Sequence, residues 1–446
     1  MKPHLNRRQF VKSTLCASAA ISWPGRSNAG ESFKDKLNHA SFGASGMAKQ
    51  DIQTLLRTGG INLVAVAEVD DMRAQWLRAE HADTRIYKDW RVLFEKEGHH
   101  LDSVNVTTPD HTHASIGVTA MKMGLHVYGQ KPLAHNLYET RRMSEIARET
   151  GVVTQMGIQM ASSINDRLTV EVIRQGAIGK IESIHMFSDK AWGDNQPRPA
   201  RVDAVPATLD WDLWCGGAPK PEYLGQGYYH PGNWRRRLDY GCGTLGDMGC
   251  HIFNPMFRVL DAKPPIRVVS LGDPATEHNW GENGRYTYTF RGNGLTSGKT
   301  LEVHWHGGSH RVPEELRKAL GRHGDYMPKQ GSLFVGTDGM VLKPHQRKPM
   351  LFPQSQFDDF VFPELDQRDH YVDFVSAASG AAVRPIADFA DYGGPLTEVV
   401  LLGMLSSRFP GQDLEWDADS LRVTNLEQAN TYIKRPNRSG WEVEGL

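Results

Sequence analysis

Apolar residues in the first third of the chain alternate between short runs and longer amphipathic stretches. Residues 37–42 form an apolar run that predicts a strand, and residues 47–58 carry apolar side chains at helical spacing up to a Gly-Gly pair. The same patterns predict further strands at 62–66, 101–106, 126–128 and 152–156, and further helices at 114–123 and 139–150. Alternating strands and helices predict an α/β fold with a doubly wound parallel sheet, which we place at residues 30–158.

Beyond Gln159 the pattern changes to strand-length runs with few helices between them. These runs predict strands at 182–187, 266–271, 286–290, 301–305 and 332–335. A late helix is predicted at 395–407, and the tail after Arg408 is predicted to be irregular and anchored by Trp416 and Trp441. Residues 159–446 are therefore expected to form a second α/β domain, with an open, largely antiparallel sheet whose long loops cover a ligand.

The N-terminus has the order of an export signal. Arg7 and Arg8 are followed by Phe10 and Lys12, then by a modest apolar run at 15–23 and by Ser-Asn-Ala at 27–29. This order matches a twin-arginine signal peptide at residues 1–29 and predicts export to the periplasm. An amphipathic N-terminal helix is the alternative interpretation.

Composition excludes several classes of partner. The net charge of −1 gives no electrostatic basis for binding nucleic acid or an anionic membrane surface. We find no apolar run of the roughly 20 residues that a membrane-spanning helix needs. Signal cleavage would leave Cys215, Cys242 and Cys250, whose spacing matches no metal site, so we expect no metal and three buried, small apolar side chains.

The turn after the first strand resembles a degenerate dinucleotide fingerprint. Gly43 suits the tight turn, while Ser45 stands where glycine normally lets the pyrophosphate approach, and Gly46 follows it. Glu68 ends the second strand near the spacing of an acid that accepts ribose hydroxyls, which favours NAD over NADP. Arg73 lies close downstream and keeps NADP open, and a solvated carboxylate is the alternative for Glu68.

Two polar clusters follow successive strands at 107–113 and 129–132. The first contains Thr108, Pro109, His111 and His113, and the second contains Lys131. Open α/β sheets bind ligands at the carboxyl ends of their strands, so we expect both clusters to reach one site. A solvated lysine in a loop is the alternative.

A third cluster lies in the Gly-rich segment 243–251. Asp247 and His251 are four residues apart and would share one face of a helix. Histidine has an ordinary pKa suited to proton transfer near neutrality, although a structural histidine is the alternative.

Taken in order, these segments resemble the glucose–fructose oxidoreductase/inositol dehydrogenase (Gfo/Idh/MocA) family over nearly the whole mature chain. The segments that carry the resemblance are Thr108–His113, Gln130–Pro132, Gly157–Gln159, Gly176–Gly179, Gly246–His251, Gly336–Gly339, Pro395–Glu398 and Leu414–Asp417. The resemblance implies a Rossmann domain, a mixed-sheet domain and a homo-oligomer that acts on a carbohydrate with NAD.

The resemblance also implies the site. Lys131, Asp247 and His251 take the catalytic positions, and Trp234 and Arg235 join them as substrate contacts. Cofactor contacts are implied for Gly43, Ser45, Gly46, Met47, Glu68, Thr108, Pro109, His111, His113, Lys131 and Gln159. Tyr228 and Tyr229 suit either substrate contact or core packing.

Gln130 departs from the family pattern, because it replaces the acid of the Glu-Lys-Pro motif. Two alternative functions remain open at this point. One is a glycosidase that keeps NAD bound and oxidises its glycoside transiently, although such relatives generally lack the lysine that Lys131 supplies. The other is a sugar-binding protein without catalysis. Export of a nicotinamide enzyme further predicts that the cofactor is loaded before export and held tightly.

Overall fold

The computed structural model describes Phe33 and residues 35–446, and these belong to one compact unit. The export signal predicted at residues 1–29 lies outside the described residues. The unit contains two sheets. The domain border after residue 158 stays a prediction, and it lies between the last strand of the first sheet and the first strand of the second.

The first sheet has six parallel strands. They are β1 (Leu37–Phe42), β2 (Ile61–Ala67), β3 (Arg85–Tyr87), β4 (Ser103–Val106), β5 (His126–Gly129) and β6 (Thr154–Met156). Their spatial order is β3-β2-β1-β4-β5-β6, so the winding direction reverses between β1 and β4. A crevice opens at such a reversal, outside the carboxyl ends of the strands, where these folds bind ligands. The predicted doubly wound sheet is confirmed.

Helices cover this sheet. They are α1 (Met47–Arg57), α2 (Gln75–Glu80), α3 (Trp90–Glu97), α4 (His113–Lys122) and α5 (Leu137–Thr150). Local sequence sets their ends: the Asn136 side chain caps α5 by accepting a hydrogen bond from the Glu139 amide, and Gly151 ends it with φ 66°. The central strand β4 is buried along its length, as expected for a sheet covered on both faces.

The second sheet has nine strands. They are β7 (Ile181–Ser188), β8 (Arg267–Ser270), β9 (Arg285–Arg291), β10 (Thr300–Gly307), β11 (Gln330–Gly336), β12 (Gly339–Pro344), β13 (Met350–Phe352), β14 (Asp413–Asp417) and β15 (Arg422–Val423). The order is β13-β12-β11-β7-β10-β9-β8-β14-β15, and every pairing is antiparallel except that of β7 with β10. The predicted open, largely antiparallel sheet is therefore confirmed.

The remaining helices follow. They are α6 (Ile164–Arg174), α7 (Trp211–Cys215), α8 (Gly243–Leu260), α9 (Glu314–Ala319), α10 (Arg322–Asp325), α11 (His370–Ala378) and α12 (Gly394–Ser406). Helix α8 packs on the second sheet, where Phe253 stacks on Trp305 with ring centroids 6.1 Å apart, and α12 packs against α8. This packing fixes the start of α8, which carries Asp247 and His251.

Two expectations about the second half are corrected. Helices are more frequent than predicted, because α6 begins at Ile164, soon after Gln159, and α8 continues the Gly-rich segment 243–251 as far as Leu260. The tail is only partly irregular, since β14 extends the sheet with Leu414 and Trp416 buried. The residues after Tyr432 form neither helix nor strand, and Trp441 is buried, as the predicted anchor requires.

The predicted environment of the cysteines is confirmed. Cys215, Cys242 and Cys250 are all buried and free of disulfides. Burial raises the pKa of the Cys250 thiol to about 12, which keeps it protonated and unreactive at neutral pH. Among the described residues, none of the helices combines the length and apolar character needed to cross a membrane.

Candidate active site

A cavity of about 390 Å³ opens at the carboxyl ends of β1, β2, β4 and β5 and extends to the start of α8. It is lined by fourteen of the residues predicted to form the site: Gly43, Ser45, Gly46, Met47, Glu68, Thr108, Pro109, His113, Lys131, Gln159, Trp234, Arg235, Asp247 and His251. Residues predicted from separate segments of the sequence are therefore brought to one place.

The turn between β1 and α1 has the geometry of a phosphate cradle. Gly43 has φ 99°, and a Cβ atom at this position would lie 2.5 Å from the Thr107 carbonyl oxygen, so only glycine fits. Gly46 caps α1 with φ 60° and leaves the first helical amides without a side-chain cap. Free amides and the positive end of the helix dipole favour an anion, so the turn fits a pyrophosphate.

Ser45 is engaged by a neighbouring arginine. The Ser45 hydroxyl accepts a hydrogen bond from Arg73 Nη1 at 2.8 Å, and Arg73 Nε donates to His230 Nε2 at 2.9 Å. The serine that replaces the usual glycine thus fixes a cation beside the turn, where it adds to the positive potential.

Glu68 ends β2 with both carboxylate oxygens held by the backbone. Oε2 accepts from the Ala44 amide at 3.0 Å, and Oε1 accepts from the Asp70 amide at 3.1 Å. Burial raises the pKa of Glu68, while these amide hydrogen bonds oppose the shift. Each carboxylate oxygen has a second lone pair, so Glu68 keeps acceptors for ribose hydroxyls.

Asp247 is the centre of a cluster of positive side chains. Lys131 Nζ donates to Asp247 Oδ1 at 2.8 Å and to its backbone carbonyl at 2.7 Å, and Lys190 Nζ donates to Oδ2 at 2.8 Å. Trp192 Nε1 also donates to Oδ2, at 2.9 Å, and Arg235 Nε lies 3.5 Å from Oδ1. Burial opposes ionisation here, but the surrounding Lys131, Arg235 and Lys190 charges hold the pKa of Asp247 well below its usual value.

His251 lies one helical turn after Asp247 and is not bonded to it. Its Nδ1 atom is buried without a hydrogen-bond partner, and its ring centroid lies 5.3 Å from that of His345. Burial, followed by the Lys131 charge and His345, holds the pKa of His251 well below its usual value, so the imidazole is neutral. Asp247 does not orient the imidazole, since Lys131, Lys190 and Trp192 donate to its carboxylate oxygens.

Gln130 belongs to a buried network behind Lys131. Its Nε2 donates to Asp51 Oδ2 at 3.0 Å, and Asp51 also accepts from Thr107 Oγ1 at 2.8 Å and from the Tyr371 hydroxyl at 2.7 Å. Burial raises the pKa of Asp51 to about 6. The acid missing from position 130 is thus replaced in space by a carboxyl group from α1.

His111 is placed outside the cavity lining, which corrects its assignment as a cofactor contact. Its Nε2 atom lies 2.9 Å from the Trp214 carbonyl oxygen, and its ring packs on Trp214 and Tyr240. Burial lowers its pKa to about 3, so the ring is a neutral part of the core. His113 lines the cavity, yet its ring nitrogens both lie 2.8 Å from backbone carbonyl oxygens.

The long loop before α8 divides into two roles. Tyr228 and Tyr229 lie in a buried aromatic cluster with Trp211, so core packing is the role that the structure shows for them. Trp234 and Arg235 line the cavity, with the guanidinium carbon 4.2 Å from the Trp234 ring centroid.

Lys190 and Trp192 are site residues that the sequence reasoning missed. They follow β7 within the segment Asp189–Trp192 and contact Asp247, which lies 57 residues after Lys190 and 55 residues after Trp192 in the chain. A lysine and a tryptophan two residues apart directly after a predicted strand were the available signal.

Comparison with known proteins agrees with this architecture. The NAD-binding Rossmann-fold model of the Gfo/Idh/MocA oxidoreductase family matches residues 37–158, and the model of that family's C-terminal alpha/beta domain matches residues 186–295. Together the two matches span more than half of the chain.

Individual relatives match over part of their length. A levoglucosan dehydrogenase from Pseudarthrobacter phenanthrenivorans is 28% identical over 25% of this chain and 28% of its own. A myo-inositol 2-dehydrogenase from Thermotoga maritima is 26% identical over 32% of this chain and 40% of its own. The chain therefore spans less than half of the length of these curated relatives.

A solved structure shows the same fold over most of the molecule. The WlbA dehydrogenase from Bordetella pertussis, in complex with NADH and UDP-GlcNAcA, superposes with a TM-score of 0.61 at 16% identity. The match covers 86% of this chain and 100% of that one. With the parallel sheet, the phosphate cradle and the Lys131–Asp247–His251 site in place, the chain belongs to the Gfo/Idh/MocA family of NAD-binding oxidoreductases.

Proposed function

We propose that the protein is an NAD-dependent oxidoreductase that transfers hydride between a hydroxyl-bearing carbon of a sugar or polyol and nicotinamide. The observation that carries this proposal is the placement of Lys131, held by Asp247, and of neutral His251 in one cavity with the phosphate cradle. A dehydrogenase needs a fixed cation for a developing alkoxide and a base for the hydroxyl proton, and these residues supply both.

The residues of the cavity fit the cofactor. Gly43 and Gly46 leave room and free amides for a pyrophosphate, and Glu68 retains acceptors for ribose hydroxyls. NAD, when bound, supplies the hydride acceptor. Gln159 and Lys131 also line the cavity.

The protein's own groups move the proton. Neutral His251 accepts the hydroxyl proton at Nε2, because Nδ1 is buried and Nε2 is the ring nitrogen that keeps access to the cavity. Lys131 stabilises the oxygen that becomes negative as the carbon–hydrogen bond yields its electron pair as hydride. Asp247 holds Lys131 in place through two hydrogen bonds and stays ionised throughout.

The glycosidase alternative has less support. In the transient-oxidation route the bound nicotinamide returns to its starting state, and relatives that resemble this type generally lack the motif lysine. Here Lys131 is present and is held by two hydrogen bonds to Asp247. We therefore propose net oxidation or reduction of the substrate.

We further propose that the protein is exported with its cofactor tightly held. The basis is the twin-arginine pattern at Arg7 and Arg8, because that route carries folded proteins and free NAD is scarce outside the cytoplasm. A retained cofactor needs a second substrate to return it to its starting state.

Turnover by site variants tests the catalytic assignment. Purified protein is incubated with a panel of sugars and polyols, and reduction of nicotinamide is followed by its absorbance. We expect Lys131→Ala and His251→Ala each to lower kcat by roughly 10²–10⁴-fold, the range for loss of an acid–base or electrostatic group.

Matched variants control this test. Lys318→Ala and His278→Ala remove exposed side chains of the same types and should leave turnover unchanged. Unchanged turnover in both Lys131→Ala and His251→Ala would disprove the catalytic assignment. Cleavage of a nitrophenyl glycoside without net NADH would favour the glycosidase alternative.

A further inference from the structure

The positive charge around Asp247 exceeds what catalysis by Lys131 requires. We propose that the substrate is an anionic sugar, one that carries a carboxylate or a phosphate, and that Arg235 and Lys190 bind its negative group. This proposal rests on the proposed oxidoreductase function and names the class of substrate for the same site.

Charge balance supports an anionic substrate. Lys131, Lys190 and Arg235 all lie within contact of the Asp247 carboxylate. Two further carboxyl groups, those of Asp110 and Asp51, are close enough to interact with Lys131, and burial raises the pKa of both. The three cations exceed the anions unless both of these carboxyl groups are ionised. Asp110 is buried and accepts a hydrogen bond from the Cys242 amide at 3.1 Å, and burial raises its pKa, which enlarges the excess.

Arg235 has unused hydrogen-bonding capacity. Its Nε approaches Asp247 at 3.5 Å, and within the described residues neither Nη atom donates a hydrogen bond. The side chain lines the cavity and is 27% exposed. The planar fork of a guanidinium group pairs with a carboxylate or phosphate through two parallel hydrogen bonds.

A neighbouring arginine shows what a structural role looks like in the same loop. Arg237 is 5% exposed, and its Nη1 donates to Asp194 Oδ2 and Asn279 Oδ1 at 2.7 Å each. Its Nε donates to the Tyr228 carbonyl oxygen at 3.1 Å. Arg237 is thus held by the fold through Nε and Nη1. Arg235, two residues earlier, lies against the cavity with both Nη atoms free of hydrogen bonds within the described residues.

Aromatic rings hold Arg235 in position. Its guanidinium carbon lies 4.2 Å from the Trp234 ring centroid and 5.4 Å from that of Trp192. Trp192 is itself fixed by its hydrogen bond to Asp247. A guanidinium group held on aromatic faces loses less conformational freedom when it binds an anion.

Lys190 and Arg235 together form the proposed binding site for the negative group, which we call the anchor. The Lys190 ammonium group donates to Asp247 Oδ2, which uses one of its three hydrogens, and its side chain is 40% exposed. Lys131 reaches the same carboxylate at Oδ1, so the proposed anchor and the reacting groups are separated by little more than that carboxylate. A single sugar ring spans such a separation, with its hydroxyl near Lys131 and His251 and its negative group near Arg235 and Lys190.

Matched pairs of sugars test the proposal with the NAD-loaded full chain. The probes are glucose with glucuronate, galactose with galacturonate, and glucose 6-phosphate, and the readouts are kcat/KM from nicotinamide absorbance and equilibrium binding. We expect an anionic probe to exceed its neutral partner in kcat/KM by about 10- to 100-fold, with a KM that rises with ionic strength. Comparison of glucuronate and galacturonate with glucose 6-phosphate shows whether the site binds a carboxylate or a phosphate.

Variants then locate the anchor. Arg235→Leu and Lys190→Met should each weaken binding of the preferred anionic probe by about 10-fold or more, Arg235→Lys should restore part of it, and exposed Lys318→Met should change nothing. Binding is measured separately from turnover, so it reports the anchor even if the chemistry differs.

The outcomes separate the two proposals. Equal or better turnover of neutral sugars would overturn the anionic substrate and leave the oxidoreductase standing. If Arg235→Leu lost its nicotinamide while its sugar preference stayed unchanged, Arg235 would bind the cofactor. That result would also overturn the proposed anionic substrate. Anion binding that depends on Arg235 without reduction of nicotinamide by any sugar would support the anchor and disprove the proposed function.

Discussion

At the scale of single residues, burial of Asp51 makes the free energy of unfolding depend on pH. It is fully buried among neutral partners, Gln130, Thr107 and Tyr371, and burial raises its pKa from 3.8 to about 6. A carboxyl group with a raised pKa in the folded state favours folding while it is protonated. Its contribution is complete below about pH 4 and is lost as pH rises through 6.

The variant Asp51→Asn tests this directly. The shift corresponds to on the order of 3 kcal/mol, so the free energy of unfolding of the wild type should fall relative to that of Asp51→Asn by up to about this amount between pH 4 and pH 8. Urea unfolding at several pH values measures the difference, and exposed Asp358→Asn should show none. If the free energies of unfolding of the wild type and Asp51→Asn differed by a constant amount from pH 4 to pH 8, Asp51 would not titrate in this range.

The cavity brings together predicted residues whose neighbours along the chain explain them. Lys131 lies before a proline at a strand end, and Asp247 and His251 share a helical spacing, so their chemistry is visible locally. Lys190 shows nothing comparable, because its partner Asp247 is 57 residues away and only the packing of α8 on the second sheet joins them. The structure does not place His111 against the cavity, although its position in the motif predicted a cofactor contact. Trp214 and Tyr240 from the long loop pack against its ring, and this contact is not visible in the neighbouring sequence.

At the scale of elements, the turn between β1 and α1 offers two glycines with different constraints. A Cβ at Gly43 meets the Thr107 carbonyl oxygen at 2.5 Å, whereas a Cβ at Gly46 meets nothing within 4 Å. Both have positive φ, so both substitutions cost backbone strain of about 1 kcal/mol, but only Gly43→Ala also forces β1 and β4 apart at the cradle.

We therefore expect Gly43→Ala to lower the nicotinamide content of purified protein by about 10-fold or more and to destabilise the fold by about 1–3 kcal/mol. Gly46→Ala should lower the free energy of unfolding by about 1 kcal/mol and should retain more of the cofactor than Gly43→Ala. Absorbance of nicotinamide released by denaturation and urea unfolding measure the two effects. Equal losses in both variants would show that strain alone, without the clash, governs the turn.

Elements were predictable where apolar periodicity is strong. The strands of the parallel sheet are apolar runs, and the long strands of the second sheet are rich in aromatic and β-branched residues. Strand β14 was missed because only Leu414 and Trp416 of its five residues are buried, and the acids between them have low strand propensity. Pairing with β8 fixes this strand, and a contact so distant in sequence leaves no local pattern.

At the scale of the whole molecule, the site draws on both sheets. Gly43, Glu68 and Lys131 come from the parallel sheet, while Lys190 and Asp247 come from β7 and α8 of the second. A cofactor bound in this cavity would contact elements from both halves of one compact unit. The proposed loading of NAD before export is consistent with this arrangement.

The last prediction concerns the proposed export of the protein. In cells that produce the full chain, we expect protein recovered from the periplasm to contain nicotinamide close to one molecule for each chain, because cofactor bound to the folded state also stabilises it by mass action. Replacing Arg7 and Arg8 with lysine should keep the protein in the cytoplasm with its nicotinamide content unchanged, since the residues assigned to the site all come from position 43 onward. Nicotinamide is measured after denaturation of both fractions. Periplasmic protein without nicotinamide, beside cytoplasmic protein that contains it, would show that the cofactor exchanges and that the enzyme depends on a supply outside the cell membrane.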